Sequence, residues 1–333
     1  MKILNGHLLI GVVMSALLAA DPFTLLAPAI TLTVAERQNL DRGAIVSRTL
    51  QSDDNQVGVF AMSRINVPPD ALIPHARAIE GLKRSSFVTA IQRFSNPPRL
   101  EDLDQLVLTA RDVELAVLCA PGDCSFKLSP QEIDLLRSLS RPGTPERDAA
   151  IQRAFRQVVL ARVKTYLAGG LSAVPVIANR STPLDLDRVF KGIFSATPPV
   201  SGVPMATEWL RDASKGAQQV ESFLYWSQEN FGTGKPVVSV THVGLIAPAS
   251  PGDPVIVLGK QVFATRYMTG GLSVTAITTD AATGANYLVY LNRTGVDLLG
   301  GLMGPLKRSV LESRLKSELP NIIQNLRVRL ERH

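Results

Sequence analysis

The C-terminal part of the chain alternates strand-like runs with very short turns, and this pattern restricts the fold more than any other feature. The runs rich in β-branched residues cover 237–247, 255–267, 272–279 and 286–292. A parallel pair of strands needs a crossover of about a dozen residues or more, so connections this short require antiparallel neighbours. The sequence therefore predicts a four-strand antiparallel meander.

A long amphipathic segment follows the meander. Its apolar residues recur every three or four positions, the spacing that lines one face of an α-helix. The series is Leu306, Val310, Leu315, Leu319, Ile323, Leu326 and Leu330. We expect a helix over 306–330 against the concave face of the sheet, because that arrangement buries both apolar surfaces at once.

The first part of the chain, 36–95, is expected to add strands to the same sheet. Strand-like runs cover 44–50, 57–67 and 87–94, and a helical pattern covers 70–84. We expect these three runs to pair with the meander in one antiparallel sheet.

Helix signals dominate the stretch 100–234. The predicted helices cover 130–139, 144–168, 184–195, 205–214 and 218–230. We therefore expect an all-helical insertion between a first half of the sheet domain, 36–95, and a second half, 236–331.

Three segments add a family resemblance to this element order. They are 57–61 (VGVFA), 223–227 (FLYWS) and 287–293 (YLVYLNR). Together with the terminal helix they resemble the START-like superfamily of polyketide cyclases and lipid-transfer proteins, in a bacterial exported form with a helical insertion. The resemblance implies an α+β helix-grip fold, in which a curved antiparallel sheet wraps around a long C-terminal helix.

A helix-grip fold usually keeps a cavity between sheet and helix, so the resemblance implies a binding or carrier protein for a hydrophobic or amphipathic, lipid-like ligand. The expected neighbours of the cavity wall are Val240, His242, Tyr290, Leu306, Leu315 and Leu319. Two alternatives stay open. One is an envelope interaction or assembly protein with a filled core. The other is a cyclase- or hydrolase-like enzyme that uses His242, Arg266 or Tyr290 as acid–base groups.

The sequence contains few residues suited to catalysis. The histidines outside the leader are His75, His242 and His333, and no G-x-S-x-G elbow or complete phosphate loop is present. Two cysteines and four histidines predict neither a metal site nor a cofactor. We interpret His242 as a hydrogen-bonded structural histidine.

The N-terminus has the pattern of a secretory signal peptide. Lys2 precedes an apolar run from Leu8 to Ala20, which is shorter than the roughly 20 residues that span a bilayer. Small residues offer cleavage positions at Ala20 and further on, so we place the signal at about 1–29. An uncleaved anchor is the alternative. We expect a protein of the bacterial envelope, either periplasmic or secreted.

The two cysteines agree with export. Cys119 and Cys124 flank Pro121-Gly122, the preferred pair for a type II turn, which brings its flanks close together. Disulfides persist in oxidising compartments. We therefore predict a structural Cys119–Cys124 disulfide.

The net charge of +6 is concentrated near the C-terminus. Seven Lys or Arg residues and three Glu residues lie in 307–333. No dense basic run occurs elsewhere, so a nucleic-acid partner is not expected. The basic helix is interpreted as a solvated amphipathic helix, and contact with an anionic membrane surface is the alternative.

Lys260 and Arg266 share one strand face by period-two counting. We interpret this face as solvated. If it points inward instead, both cations need anionic partners, such as an acidic lipid headgroup or a carboxylate.

Overall fold

The computed structural model describes residues 21–53, 55–139, 145–213, 220–230, 235–250, 252–299 and 304–332. The apolar run of the predicted signal peptide lies outside these residues. The described strands form one curved antiparallel sheet of eight strands in the order β1-β2-β8-β7-β6-β5-β4-β3. They are β1 (Val46–Leu50), β2 (Gln56–Ile65), β3 (Val88–Arg93), β4 (Glu221–Glu229), β5 (Val237–Ile246), β6 (Val255–Ala264), β7 (Met268–Thr279) and β8 (Asn286–Val296).

Helices precede, interrupt and follow the sheet. They are α1 (Val34–Asp41), α2 (Leu72–Arg77), α3 (Ile79–Leu82), α4 (Ala110–Val117), α5 (Pro130–Ser138), α6 (Pro145–Gly169), α7 (Leu186–Ala196), α8 (Pro204–Arg211) and the terminal helix α9 (Gly304–Glu331). No helix in the described ranges has the length and apolar character needed to cross a bilayer.

The α+β class and the seven predicted strands are confirmed, but the helix predicted at 218–230 is wrong. This segment forms β4, which pairs with β3 on one side and β5 on the other. Residues 223–226 are apolar or aromatic without alternation, because Phe223 and Tyr225 pack on one face of the sheet while Leu224 and Trp226 pack on the other. A strand that is buried on both faces loses the period-two signal. The helical insertion therefore ends before β4 and does not extend to residue 234.

Both faces of the sheet are covered. We call the face of the sheet that carries Val59 and Val243 the helix face. It packs against α2, α3 and the terminal helix. We call the opposite face of the sheet, which carries Phe60 and Val240, the insertion face. It packs against helices of the insertion. Successive residues of a strand point to opposite faces, so each strand contributes to both cores.

The terminal helix runs alongside β2. Arg308 donates a hydrogen bond to the carbonyl of Gln56 at the start of β2, and Glu331 accepts one from the amide of Asn66 just beyond its end. Between these points Leu319 and Ile323 are buried against the helix face. Burial of one such side chain stabilises the fold by roughly 1.5–3 kcal/mol.

Residues 21–32 belong to the folded body and not to a separable leader. Leu25, Leu26 and Ile30 are buried in the core on the insertion face, and the Leu25 carbonyl accepts a hydrogen bond from the Ser201 amide. The leader boundary at about residue 29 stays a prediction. Of the cleavage positions in the sequence, Ala20 is the one that keeps these side chains in the protein.

The Cys119–Cys124 disulfide is confirmed, with 4.4 Å between the Cα atoms. Gly122 at the tip of the turn has φ +87°, a conformation that favours glycine. The turn is fixed to a neighbouring loop, because the amide of Gly122 donates to the Ala178 carbonyl and the amide of Cys124 donates to the Asn179 carbonyl.

Leu319→Ala should lower the free energy of unfolding by about 2–5 kcal/mol, since it removes a buried side chain that is 3% exposed. Leu306→Ala is the matched control: this leucine of the same helix is 59% exposed, and we expect a change within about 0.5 kcal/mol. Urea denaturation followed by circular dichroism measures both. Equal effects of the two substitutions would contradict the packing described for the terminal helix.

Candidate functional site

A contiguous patch of half-buried polar side chains lies on the helix face. We call it the polar groove and define it by Thr241, Gln261, Ser273, Thr275, Tyr290, Asn292 and Thr294. These residues come from β5, β6, β7 and β8 and point to the same side as Val59 and Val243. Much of the remaining helix face is apolar and buried under α2, α3 and the terminal helix.

Strand register places the groove residues in adjacent rows. Tyr290 pairs with Thr275 in the first row, and Asn292 pairs with Ser273 in the second. The third row holds Thr294, Gly271, Gln261 and Thr241. Neighbouring residues of a row lie on adjacent strands, which are about 4.8 Å apart. Their side chains can therefore contact the same bound molecule.

A glycine at the centre of the groove leaves room for a neighbouring side chain. Gly259 pairs with Ser273, and a Cβ atom built on Gly259 would lie 2.3 Å from the Ser273 hydroxyl oxygen. The Ser273 side chain therefore lies over the bare backbone of β6, and a Cβ atom at residue 259 would require it to move.

One end of the groove is closed by a charged pair and two tyrosines. The Lys83 ammonium donates to Glu229 Oε1 at 3.1 Å and lies 5.4 Å from the centre of the Tyr225 ring. The Ser227 hydroxyl donates to the same carboxylate oxygen at 2.9 Å. The pKa of Lys83 is raised: burial alone would lower it, but Tyr225 and Glu229 outweigh that effect.

Tyr290 reaches this end from the far side of the groove. Tyr290 on β8 and Tyr225 on β4 are four strands apart, which amounts to roughly 19 Å in a flat sheet. Burial raises the pKa of the Tyr290 hydroxyl, the Lys83 ammonium opposes this shift, and Tyr225 adds to it. All three groups are thus within electrostatic reach, which requires the sheet to curve around the groove.

Apolar residues border the groove on its other sides. Val59 and Val243 lie in the row of Asn292, and Ala61 lies in the row of Tyr290. Leu315 of the terminal helix is half-buried against the same surface. The site therefore combines a polar end with an apolar border.

The six residues predicted for the cavity wall do not surround one space, and that expectation is corrected. Tyr290 lies in the polar groove. Leu315 and Leu319 lie on the same side, whereas Leu306 is exposed on the outer side of the terminal helix. Val240 and His242 lie on the insertion face. Period-two counting places Val240 and His242 together, but it cannot identify which cover they face.

His242 belongs to a buried polar cluster on the insertion face. Its Nδ1 lies 3.0 Å from the Tyr166 hydroxyl, its ring centre lies 5.1 Å from that of Trp209, and its cross-strand neighbour is Lys260. Burial and the Lys260 charge lower the pKa of His242 to about 3. Burial also lowers the pKa of Lys260, to about 8, although Asp212 and Asp187 oppose this. The structural interpretation of His242 agrees with this hydrogen bond.

A small cavity lies beside this cluster, between α6 and the sheet. Val159, Tyr166, Val174, Val240 and Phe263 are among the residues that line it. It has room for about one water molecule. A lipid needs several hundred Å³, so this cavity does not accommodate one.

The interpretation of Lys260 and Arg266 as solvated is wrong, because both are buried. Arg266 donates to Asp112 at 2.6 Å and to the Pro236 carbonyl at 2.8 Å. Lys260 donates to the Arg211 carbonyl at 3.3 Å. The anionic partner of Arg266 is thus a carboxylate of the insertion, not a bound headgroup.

The cations of the terminal helix fall into two groups. Arg308, Arg327 and Arg329 donate hydrogen bonds to backbone carbonyls of the sheet domain. Lys307, Arg314, Lys316 and Arg332 are exposed. Membrane contact through this second group stays a prediction.

Comparison with known proteins adds no assignment. No protein-family model matches the chain, and no curated protein is significantly similar to it. The polar groove, the apolar border and the fold therefore carry the functional inference alone.

The lowered pKa of His242 predicts that the folded protein becomes less stable at acidic pH. Its pKa is about 3 in the folded protein against 6.5 for an unperturbed histidine, so the unfolded state binds more protons between these values. The free energy of unfolding should fall as the pH drops from 6.5 towards 3, by up to about 1.4 kcal/mol per pH unit.

His242→Gln should flatten this part of the curve, and His75→Gln on α2, outside the cluster, should leave it unchanged. Urea denaturation at a series of pH values measures the effect. A wild-type curve that matches the His242→Gln curve would show that His242 is not held neutral.

Proposed function

We propose that the protein is an exported, START-like binding or carrier protein that holds an amphipathic ligand in the polar groove. The observation that carries this proposal is the groove itself: uncharged polar side chains, half-buried, on the helix face of the sheet beside a buried apolar surface. Sites for small molecules combine apolar walls with a few polar groups that fix orientation.

The strand order supports the helix-grip part of the proposal. β2 lies beside β8, the last strand, and the helices α2 and α3 connect β2 to β3 at the opposite edge of the sheet. The terminal helix then follows β8 and packs on the helix face of the sheet. In this topology β1 is an added edge strand, and the helical insertion enters between β3 and β4.

The leader and the disulfide support export. A disulfide is compatible with an oxidising compartment, and the leader pattern is that of a secretory signal. With Leu25, Leu26 and Ile30 in the core, the proposed processing site is Ala20.

The geometry favours a binding protein over an acid–base enzyme. His242 and Arg266 contact the insertion while Tyr290 faces the groove, so these candidate acid–base groups do not converge on one substrate site. Two of the three are thus separated from the third by the sheet.

Filling the groove should abolish binding while the fold is retained. Gln261→Trp places a large ring in the middle of the groove, and we expect at least an about tenfold loss of affinity for phenylnaphthylamine, an uncharged fluorescent probe of apolar sites. Ala249→Trp, in the exposed loop between β5 and β6, is the matched control and should bind as wild type does.

Wild-type protein that binds no probe and yields no lipid on extraction would contradict the carrier proposal. The interaction-protein alternative, with its filled core, would then take its place.

N-terminal sequencing of protein isolated from its own cells tests the processing site. We expect Asp21 as the first residue, because later cleavage removes side chains that pack in the core. A mature chain that begins after residue 32 would contradict this placement of 21–32.

A further inference from the structure

The charges around the polar groove cancel. The seven groove residues and Tyr225 are uncharged side chains. At its closed end Lys83 and Glu229 pair at 3.1 Å. The groove therefore presents no net charge to a ligand.

Two further cations lie near its rim, and both are occupied elsewhere. Arg93 stacks over Phe223, with 3.8 Å from its guanidinium carbon to the ring centre, and donates to the Arg77 carbonyl. Arg308 donates to the carbonyls of Gln56 and Asp53 and contacts Glu312. Neither guanidinium is directed at the groove.

Several polar side chains inside the groove have no hydrogen-bond partner among the residues that the structure describes. The side chains of Thr241, Gln261, Ser273 and Thr275 make no hydrogen bond to any residue that the structure describes, whereas Thr294 donates to Asn292 at 2.8 Å. Hydroxyl and amide groups each donate and accept. Such groups match hydroxyls, amides or carbonyls of a ligand, and they offer no counter-charge to an ion that leaves water.

We infer that the groove selects amphiphiles with an uncharged, hydroxyl- or amide-bearing polar group over amphiphiles with a charged one. This selectivity rests on the proposed function, since it assigns a ligand class to the same groove. The apolar chain lies along the half-buried Leu315, and the polar group lies among Gln261, Ser273 and Asn292. The Lys83–Glu229 pair enforces neutrality, because either partner alone would leave a charge at the closed end.

Three probes with the same dodecyl-length chain test this selectivity: monolaurin, which is an uncharged diol, laurate, and dodecyltrimethylammonium. Isothermal titration at neutral pH, below the concentrations at which the probes aggregate, gives their affinities. We expect monolaurin to bind wild-type protein at least about tenfold more tightly than either ion, because the ions lose hydration without gaining a counter-charge.

Variants of the charged pair should change the preference in opposite directions. Glu229→Gln leaves the Lys83 charge unbalanced and should improve laurate binding, whereas Lys83→Met leaves Glu229 and should improve binding of the ammonium. The double variant Lys83→Met with Glu229→Gln is the matched control and should retain the preference for monolaurin. Circular dichroism of each variant establishes that it is folded.

The outcomes separate this inference from the proposed function. Equal affinities for the three probes, or a wild-type preference for laurate, would overturn the selectivity while the carrier function stands. Binding of phenylnaphthylamine without binding of monolaurin would do the same. Binding of none of the four probes would overturn both.

Discussion

The eight-stranded sheet carries apolar side chains on both of its faces, and each face has to be removed from water. The terminal helix and α2–α3 cover the helix face, and the insertion together with residues 21–32 covers the insertion face. Burial of apolar surface is the dominant favourable term in folding, so neither cover can be lost without exposing half of the core. The insertion is thus a structural part of the sheet domain and not an appended module.

The two faces of the sheet differ in how their polar side chains are packed, and the candidate site lies on the helix face. The insertion face is packed, and its buried charges are balanced within the protein by contacts such as Arg266 with Asp112. The helix face is packed against the terminal helix and α2–α3, but its residues at the Thr241–Thr294 end are polar and half-buried. A sheet that curves around such a surface encloses polar groups and apolar walls together, which is what an amphipathic molecule requires.

Most of the fold could be predicted from the sequence, because turns and periodicity are local signals. Seven strands and the terminal helix follow from patterns that neighbouring residues determine. β4 could not be recognised as a strand, because Phe223–Trp226 is buried on both faces and its residues do not alternate between apolar and polar. The site could be predicted only in part: Tyr290 was identified, but its proximity to Lys83 and Tyr225 depends on the curvature of the sheet. The same limit explains Lys260, whose burial depends on a helix far away in sequence.

Successive side chains of β6 point to opposite faces of the sheet, so this strand contributes to both the groove and the packing of the insertion. Gly259 and Gln261 face the groove, while Leu258 and Lys260 face the insertion. Under the proposed function, substitutions at the first pair alter what the groove accepts, whereas substitutions at the second pair alter the packing of the insertion. Under the same proposal, one strand allows ligand preference to diverge among descendants of this chain at positions that leave the packing of the opposite face unchanged.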